Sequence, residues 1–156
     1  MKWNWKLLVI CLVIPLAVGG LSALLSGGGM ADYGQLNQPP LSPPGWLFPV
    51  VWTILYLLMG YASYRVATAD APREKKQQAL AVYGAQLLAN FLWSPIFFGL
   101  ELRLTAFFVL VILWVLIYIT MRLFSKIDER AGDLLLPYIL WVTFAGYLNI
   151  GVFLLN

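Results

Sequence analysis

Histidine is absent from this 156-residue chain. Its absence removes the commonest metal ligand and general base, any Ser-His or Cys-His nucleophile pair, and a histidine-ligated haem. The single cysteine, Cys11, excludes an internal disulfide and reads as a small apolar residue at lipid depth. Charge is scarce too, at 11% of residues. The seven carboxylates (Asp32, Asp70, Glu74, Glu101, Asp128, Glu129 and Asp133) fall at the ends of apolar stretches or in the gaps between them. None lies at membrane depth to serve a proton relay. No glycine-rich phosphate loop follows a strand, and no strand pattern is evident. A conventional hydrolase or dehydrogenase is therefore not expected, nor are a metal site or a general acid or base.

What the chain has in abundance is apolar sequence. Five stretches carry no formal charge: Leu7–Ala31, Tyr33–Tyr64, Gln77–Leu100, Leu104–Met121 and Leu134–Asn156. Each supplies the roughly 17–25 residues that a helical bilayer crossing needs. With 62% hydrophobic residues and a mean hydropathy of +0.82, one soluble core would leave far too much apolar surface outside. The expectation is an all-α integral membrane protein, a single domain over 1–156 folded as a five-transmembrane-helix bundle. The spans are placed at 5–27, 46–65, 79–99, 103–123 and 134–154. The segment 28–45 holds Pro39, Pro40, Pro43 and Pro44, so its centre cannot be helix. Ala69–Gln78 reads as a polar connection, Gly99–Leu102 as a tight hairpin, and Pro137 as a first-turn proline of the last span.

Basic residues take sides. The N-terminal end and the gaps after the second and fourth spans hold Lys2, Lys6, Arg65, Arg73, Lys75, Lys76, Arg122, Lys126 and Arg130; the opposite face holds Arg103 alone. In a bacterial cell membrane this places the N-terminus in the cytoplasm and the C-terminus outside. The net charge of +3 then reports topology and anionic headgroups, and no nucleic-acid partner is expected. Lys2 and Lys6 before an apolar run resemble the start of a signal peptide. A run of about 25 residues and the weak cleavage pattern Ser22-Ala23-Leu24 point instead to a retained span.

The faces of the spans differ. Gln86, Asn90, Trp93 and Phe97 lie within about 40° of one helical direction, and amides in hydrocarbon need partners, so this face should point inward. Ala81, Ala85 and Ala89 form a small-residue stripe roughly 100° away, suited to close helix packing within one protomer or between two. Gly19, Ala23 and Gly27 make a similar stripe in the first span. Tyr138, Trp141, Ala145 and Asn149 share a face in the fifth, and Trp52 and Tyr56 stand four apart in the second. Large aromatics, small residues and a lone amide fit the lining of a ligand cavity; the alternative for Trp52, Trp93 and Trp141 is an interfacial belt, less natural at roughly 10 Å from a span end. Trp3, Trp5 and Trp46 sit at span ends and read as interfacial belt residues. Leu58-x2-Tyr61-x3-Arg65 and Leu116-x-Tyr118-x3-Arg122 match a weak cholesterol-type pattern that arises readily by chance.

Three motifs carry a resemblance across nearly the whole chain. They are Gln38–Trp46 (QPPLSPPGW) continuing through Pro49–Trp52 and Leu55–Tyr61, then Gln86–Gly99, then Pro137–Asn149. Together they resemble the translocator protein / tryptophan-rich sensory protein family, also called the peripheral-type benzodiazepine receptor family, in its bacterial form. The resemblance implies a five-helix bundle that needs no cofactor and binds hydrophobic ligands. Those ligands are porphyrins and haem-type tetrapyrroles, with sterol-like and synthetic isoquinoline or benzodiazepine-type compounds beside them. It implies a sensor, scavenger or carrier, the alternatives being light-dependent porphyrin degradation or transport of hydrophobic small molecules. By motif match the pocket residues are Trp52, Tyr56, Asn90, Trp93, Phe97, Trp141, Ala145 and Leu148, with Gln86 orienting polar ligand edges beside Asn90. Ala23 and the segment 28–45 through Pro44 close one end as a lid. A homodimer through Ala81, Ala85 and Ala89 is also implied. Two family positions differ, Gln38 standing for the usual lysine and Leu41 for the usual tryptophan. After Asn149 no basic residue follows, so the cholesterol motif of animal members has no counterpart there.

Overall fold

The computed structural model of the chain describes residues 3–27 and 33–156. Among these the secondary structure is helical throughout. The elements are α1 (Trp5–Leu25), α2 (Leu47–Thr68), α3 (Arg73–Ser94) running into a π-helical turn (Pro95–Gly99), α4 (Arg103–Ile127), the short α5 (Glu129–Asp133) and α6 (Leu136–Leu155). Five of these segments are long and apolar enough to cross a bilayer.

Two boundaries differ from expectation. The residues 73–78, read as part of a polar connection, are the first turns of α3; Pro72 precedes the helix and only 69–72 connect. Arg73, Glu74, Lys75, Lys76, Gln77 and Gln78 are good helix formers, so the helix extends beyond the apolar zone. The helical stretch of the last crossing begins earlier than 134, at Glu129, where Asp128 accepts a hydrogen bond from the Arg130 amide (3.1 Å) and caps the short α5; α6 itself starts at Leu136. Residues 28–32 of the expected lid lie outside the described residues.

Around the bundle, α1 packs against α2 and α3, α3 against α4, and α4 against α6, while α2 and α6 make hardly any backbone contact. The ring is thus tightly packed except along the α2–α6 seam and at a mouth between α1 and α2. On the basic face Arg65 closes that end: its Nε and Nη2 donate to the Asp128 carboxylate at 2.8 and 3.4 Å, and its Nη1 to the Tyr61 hydroxyl. Trp3 stacks on Trp5 and Tyr64 there, with centroids 5.6 and 5.8 Å apart.

Prolines inside helices set the packing of α1. A proline frees the carbonyl four residues before it, and in hydrocarbon that carbonyl needs company. Pro95 frees Phe91, whose oxygen accepts from the Ser22 hydroxyl of α1 at 2.8 Å. Four residues on, the Ser26 and Ser94 hydroxyls bond at 2.6 Å. Pro15 frees Cys11, and Gly60 of α2 lies directly against that carbonyl, where a Cβ would stand 2.6 Å from the oxygen. Weak Cα–H···O contacts favour such glycine-mediated approaches. A methyl at Gly60 would push the helices apart, so Gly60→Ala should cost about 1–3 kcal/mol. The check is thermal unfolding in detergent; a wild-type melting temperature would contradict the close α1–α2 contact.

Candidate ligand cavity

α1 and α2 touch at Cys11 and Gly60 and again where the Tyr56 ring meets Gly19. The wedge between them, backed by α3, is a cavity of about 520 Å³. Its aromatic wall comes from Phe48, Trp52 and Tyr56 of α2, Trp93 of α3, Phe98 of the π turn and Tyr33. Leu16, Gly19, Gly20, Ser22 and Ala23 of α1 form the facing side, and Gly45, Pro49, Thr53, Asn90 and Ser94 complete it. Gly20, Ala23, Pro49 and Thr53 are exposed, so the cavity opens sideways between α1 and α2.

The wall is rigid for stated reasons. Trp52 stacks on Tyr56 (centroids 5.6 Å) and meets Tyr138 edge-on at 6.3 Å. The Tyr56 ring rests on Gly19, where any Cβ would overlap it, so the glycine stripe of α1 serves packing inside the protomer. Trp93 stacks on Phe97 (5.1 Å) and donates its indole N–H to Asn149 at 2.9 Å; Asn149 in turn donates to the Arg103 carbonyl at 2.8 Å. Tyr33 packs against Phe48, Phe97 and Phe98. Burial pushes the Tyr33 phenol above its usual range, so it stays protonated.

Behind the wall runs a buried polar string. Tyr56 donates to Asn90 Oδ1 (2.9 Å), Asn90 Nδ2 to the Tyr138 hydroxyl (2.6 Å), and Tyr138 to Gln86 Oε1 (2.6 Å). Gln86 Nε2 ends the string on the Met59 sulfur at 3.9 Å. One chain of hydrogen bonds therefore ties α2, α3 and α6 together at membrane depth.

The structure brings together Ala23, Trp52, Tyr56, Asn90 and Trp93 of the expected pocket residues. The rest stand elsewhere. Gln86 is 1% exposed and spent on Tyr138, so it cannot orient a ligand. Phe97 lies one layer behind the wall, and Phe98 takes its place. Ala145 and Leu148 are buried in the interior of the bundle. Trp141 faces the groove between α2 and α6, with its ring edge-on to Phe48 at 5.8 Å and its indole N–H unpartnered among the described residues. Pro44 sits on the rim, its carbonyl accepting from Leu47 at the start of α2. The fifth crossing thus supports the cavity from behind, and the first crossing supplies the wall expected of it. Ala81 and Ala85 are exposed, whereas Ala89 is buried within the protomer.

The segment over the cavity end is fastened to α6. Tyr147 donates to the Pro40 carbonyl (2.6 Å), Pro39 lies on Gly151, and Asn156 Nδ2 donates to the Asn37 carbonyl (2.8 Å). Ser22, Tyr33 and Phe48 are wall residues that the sequence reading missed. For Ser22 a signal existed: a hydroxyl was required near the carbonyl that Pro95 frees.

The profile described as the TspO/MBR family matches residues 11–155. The "Tryptophan-rich sensory protein" of Cereibacter sphaeroides is 40% identical over 156 residues, covering 100% of this chain and 95% of that protein. "Protein CrtK" of Rhodobacter capsulatus is 39% identical over 150 residues, 96% of this chain and 92% of the relative. The "Translocator protein" of Bos taurus is 33% identical over 139 residues, 88% and 82% respectively.

The polar string makes a stability prediction. Tyr138→Phe leaves Asn90 Nδ2 and Gln86 Oε1 without partners and should cost about 1–2 kcal/mol. Tyr56→Phe orphans only Asn90 Oδ1 and should cost less. Melting curves in detergent that rank the two variants the other way would contradict the string.

Proposed function

The chain belongs to the TspO/MBR family, and on that premise we propose that it binds porphyrin-type tetrapyrroles and similar hydrophobic ligands in the α1–α2–α3 cavity, as a sensor, scavenger or carrier. The observation that carries this reading is the convergence of the Trp52–Tyr56 stack and Trp93 on one cavity of about 520 Å³ at membrane depth. That volume lies within the roughly 300–1,000 Å³ typical of ligand pockets. Flat aromatic walls favour a flat conjugated ligand, each stacked pair adding about 0.5–1.5 kcal/mol beyond area burial. Polar groups on the wall are few: the Tyr33, Thr53 and Tyr56 hydroxyls, the Asn90 amide, Ser22 and Ser94, and the Trp52 and Trp93 indole N–H groups, that of Trp93 being given to Asn149. They suit orientation by hydrogen bonds. The sideways mouth between α1 and α2 suits a ligand arriving from the bilayer.

Porphyrin titration followed by tryptophan quenching tests the site. Trp52→Ala and Trp93→Ala should each weaken binding about three- to tenfold. Trp141→Ala, one ring removed from the wall, should weaken it less than either. Wild-type affinity in both Trp52→Ala and Trp93→Ala would remove the cavity as the binding site.

A homodimer through α3 accompanies this reading. Ala81, Gly84 and Ala85 lie together on the exposed side of α3, and nothing within 4 Å would meet a Cβ at Gly84. Such a surface permits close backbone approach of a second helix. Gly84→Leu should shift the detergent-solubilised protein from dimer to monomer in light-scattering mass measurements. A dimer that persists in Gly84→Leu would place the interface elsewhere.

A further inference from the structure

The open seam between α2 and α6 holds two grooves that share Leu58 and Pro137 as walls, and so form one trough. Its apolar part, of about 410 Å³, is lined by Val51, Ile54, Leu55, Leu140, Trp141 and Phe144. Its other part, of about 390 Å³, ends among Tyr61, Arg65, Arg130 and Asp133 on the basic face. From Val51 to Arg65 the trough runs about 21 Å at 1.5 Å per residue. Half a bilayer with its headgroup zone measures about 20–22 Å. The trough therefore spans one leaflet, apolar over the chain region and ionic at headgroup level. Leu58, Tyr61 and Arg65, which match a sterol-type pattern in the sequence, all line it.

The charges at the ionic end select the occupant. The Arg65 guanidinium is held by Asp128 and the Tyr61 hydroxyl, so that pair is neutral and fixed in place. Arg130 and Asp133, three residues apart on α5, make no ion pair with each other among the described residues, and both are exposed. One free cation and one free anion side by side match a headgroup that carries both signs. We infer that the α2–α6 trough is a binding site for an aminophospholipid, its acyl chain along Leu58 and Leu140, its phosphate on Arg130 and its ammonium on Asp133. A phosphatidylglycerol headgroup has no ammonium for Asp133, a choline has no N–H to donate, and a sterol hydroxyl leaves both charges unanswered.

The test is native mass spectrometry of delipidated protein in detergent. The competing lipids are phosphatidylethanolamine, phosphatidylglycerol and phosphatidylcholine with identical acyl chains, together with a sterol. Phosphatidylethanolamine should be retained about tenfold over the others, the worth of one charge-assisted hydrogen bond. Asp133→Asn should abolish its advantage over phosphatidylglycerol. Arg130→Gln should lower retention of all three phospholipids, and Leu58→Trp, which fills the trough, should do the same without touching a charge. Equal retention of the three lipids, preference for the glycerol headgroup or the sterol, or an unchanged ethanolamine preference in Asp133→Asn would each overturn the site. Melting temperature verifies the fold of the variants. Porphyrin quenching, which reads the separate α1–α2–α3 cavity, should not change in any of them.

Discussion

A carbonyl or amide left alone in hydrocarbon costs several kcal/mol, and the architecture of this bundle follows from how those groups find each other. The string from Tyr56 through Asn90 and Tyr138 to Gln86 is the central case. It joins three helices that apolar packing alone would leave free to slide, because lipid tails compete with leucine side chains on equal terms. Once the string fixes α2 against α3, the Trp52–Tyr56 stack has one position, and the α1–α2 wedge has a back wall. The proline-freed carbonyls of Cys11 and Phe91 do the same for α1 through Gly60 and Ser22. Cavity and fold thus share one cause.

Much of this was legible in the residues. Charge-free stretches locate five helices because a crossing needs little more than length and apolarity. The inward direction of Gln86 and Asn90 followed from the cost of burying an amide. What periodicity could not say is which neighbour would answer. A helical wheel gives a face, and the face of Tyr138, Ala145 and Asn149 does point inward; whether a ligand or another helix stands opposite depends on the order of helices around the ring. Here two tyrosines and a methionine sulfur met the amides, so Gln86 was consumed. Trp141 fell at the edge of that same face, toward the α2–α6 seam. The start of α3 was misplaced for a different reason: hydropathy marks where the apolar zone begins, and a helix can extend several turns beyond it.

The segment with four prolines illustrates how little of a loop's role its composition states. Proline excludes helix at its centre, and that much is local. Its attachment to α6 through Tyr147, Gly151 and Asn156 is a long-range matter. The segment thus serves two sides: its middle is fastened to α6, while Tyr33 and Gly45 at its ends join α1, α2 and α3 in the cavity wall.

The hydrogen bonds of the buried string all run in one sense, each group giving its proton to the next until the thioether of Met59. Tyr56, first in line and lining the cavity together with Asn90, has therefore already committed its hydrogen to Asn90. What it turns toward an incoming molecule is a lone pair. A guest bearing a pyrrole-type N–H finds a welcome at that oxygen, and a guest offering only a carbonyl edge meets like facing like. In the binding proposed for this cavity, the polarity of five side chains, set far from the mouth, would favour the end of a guest that brings a donor.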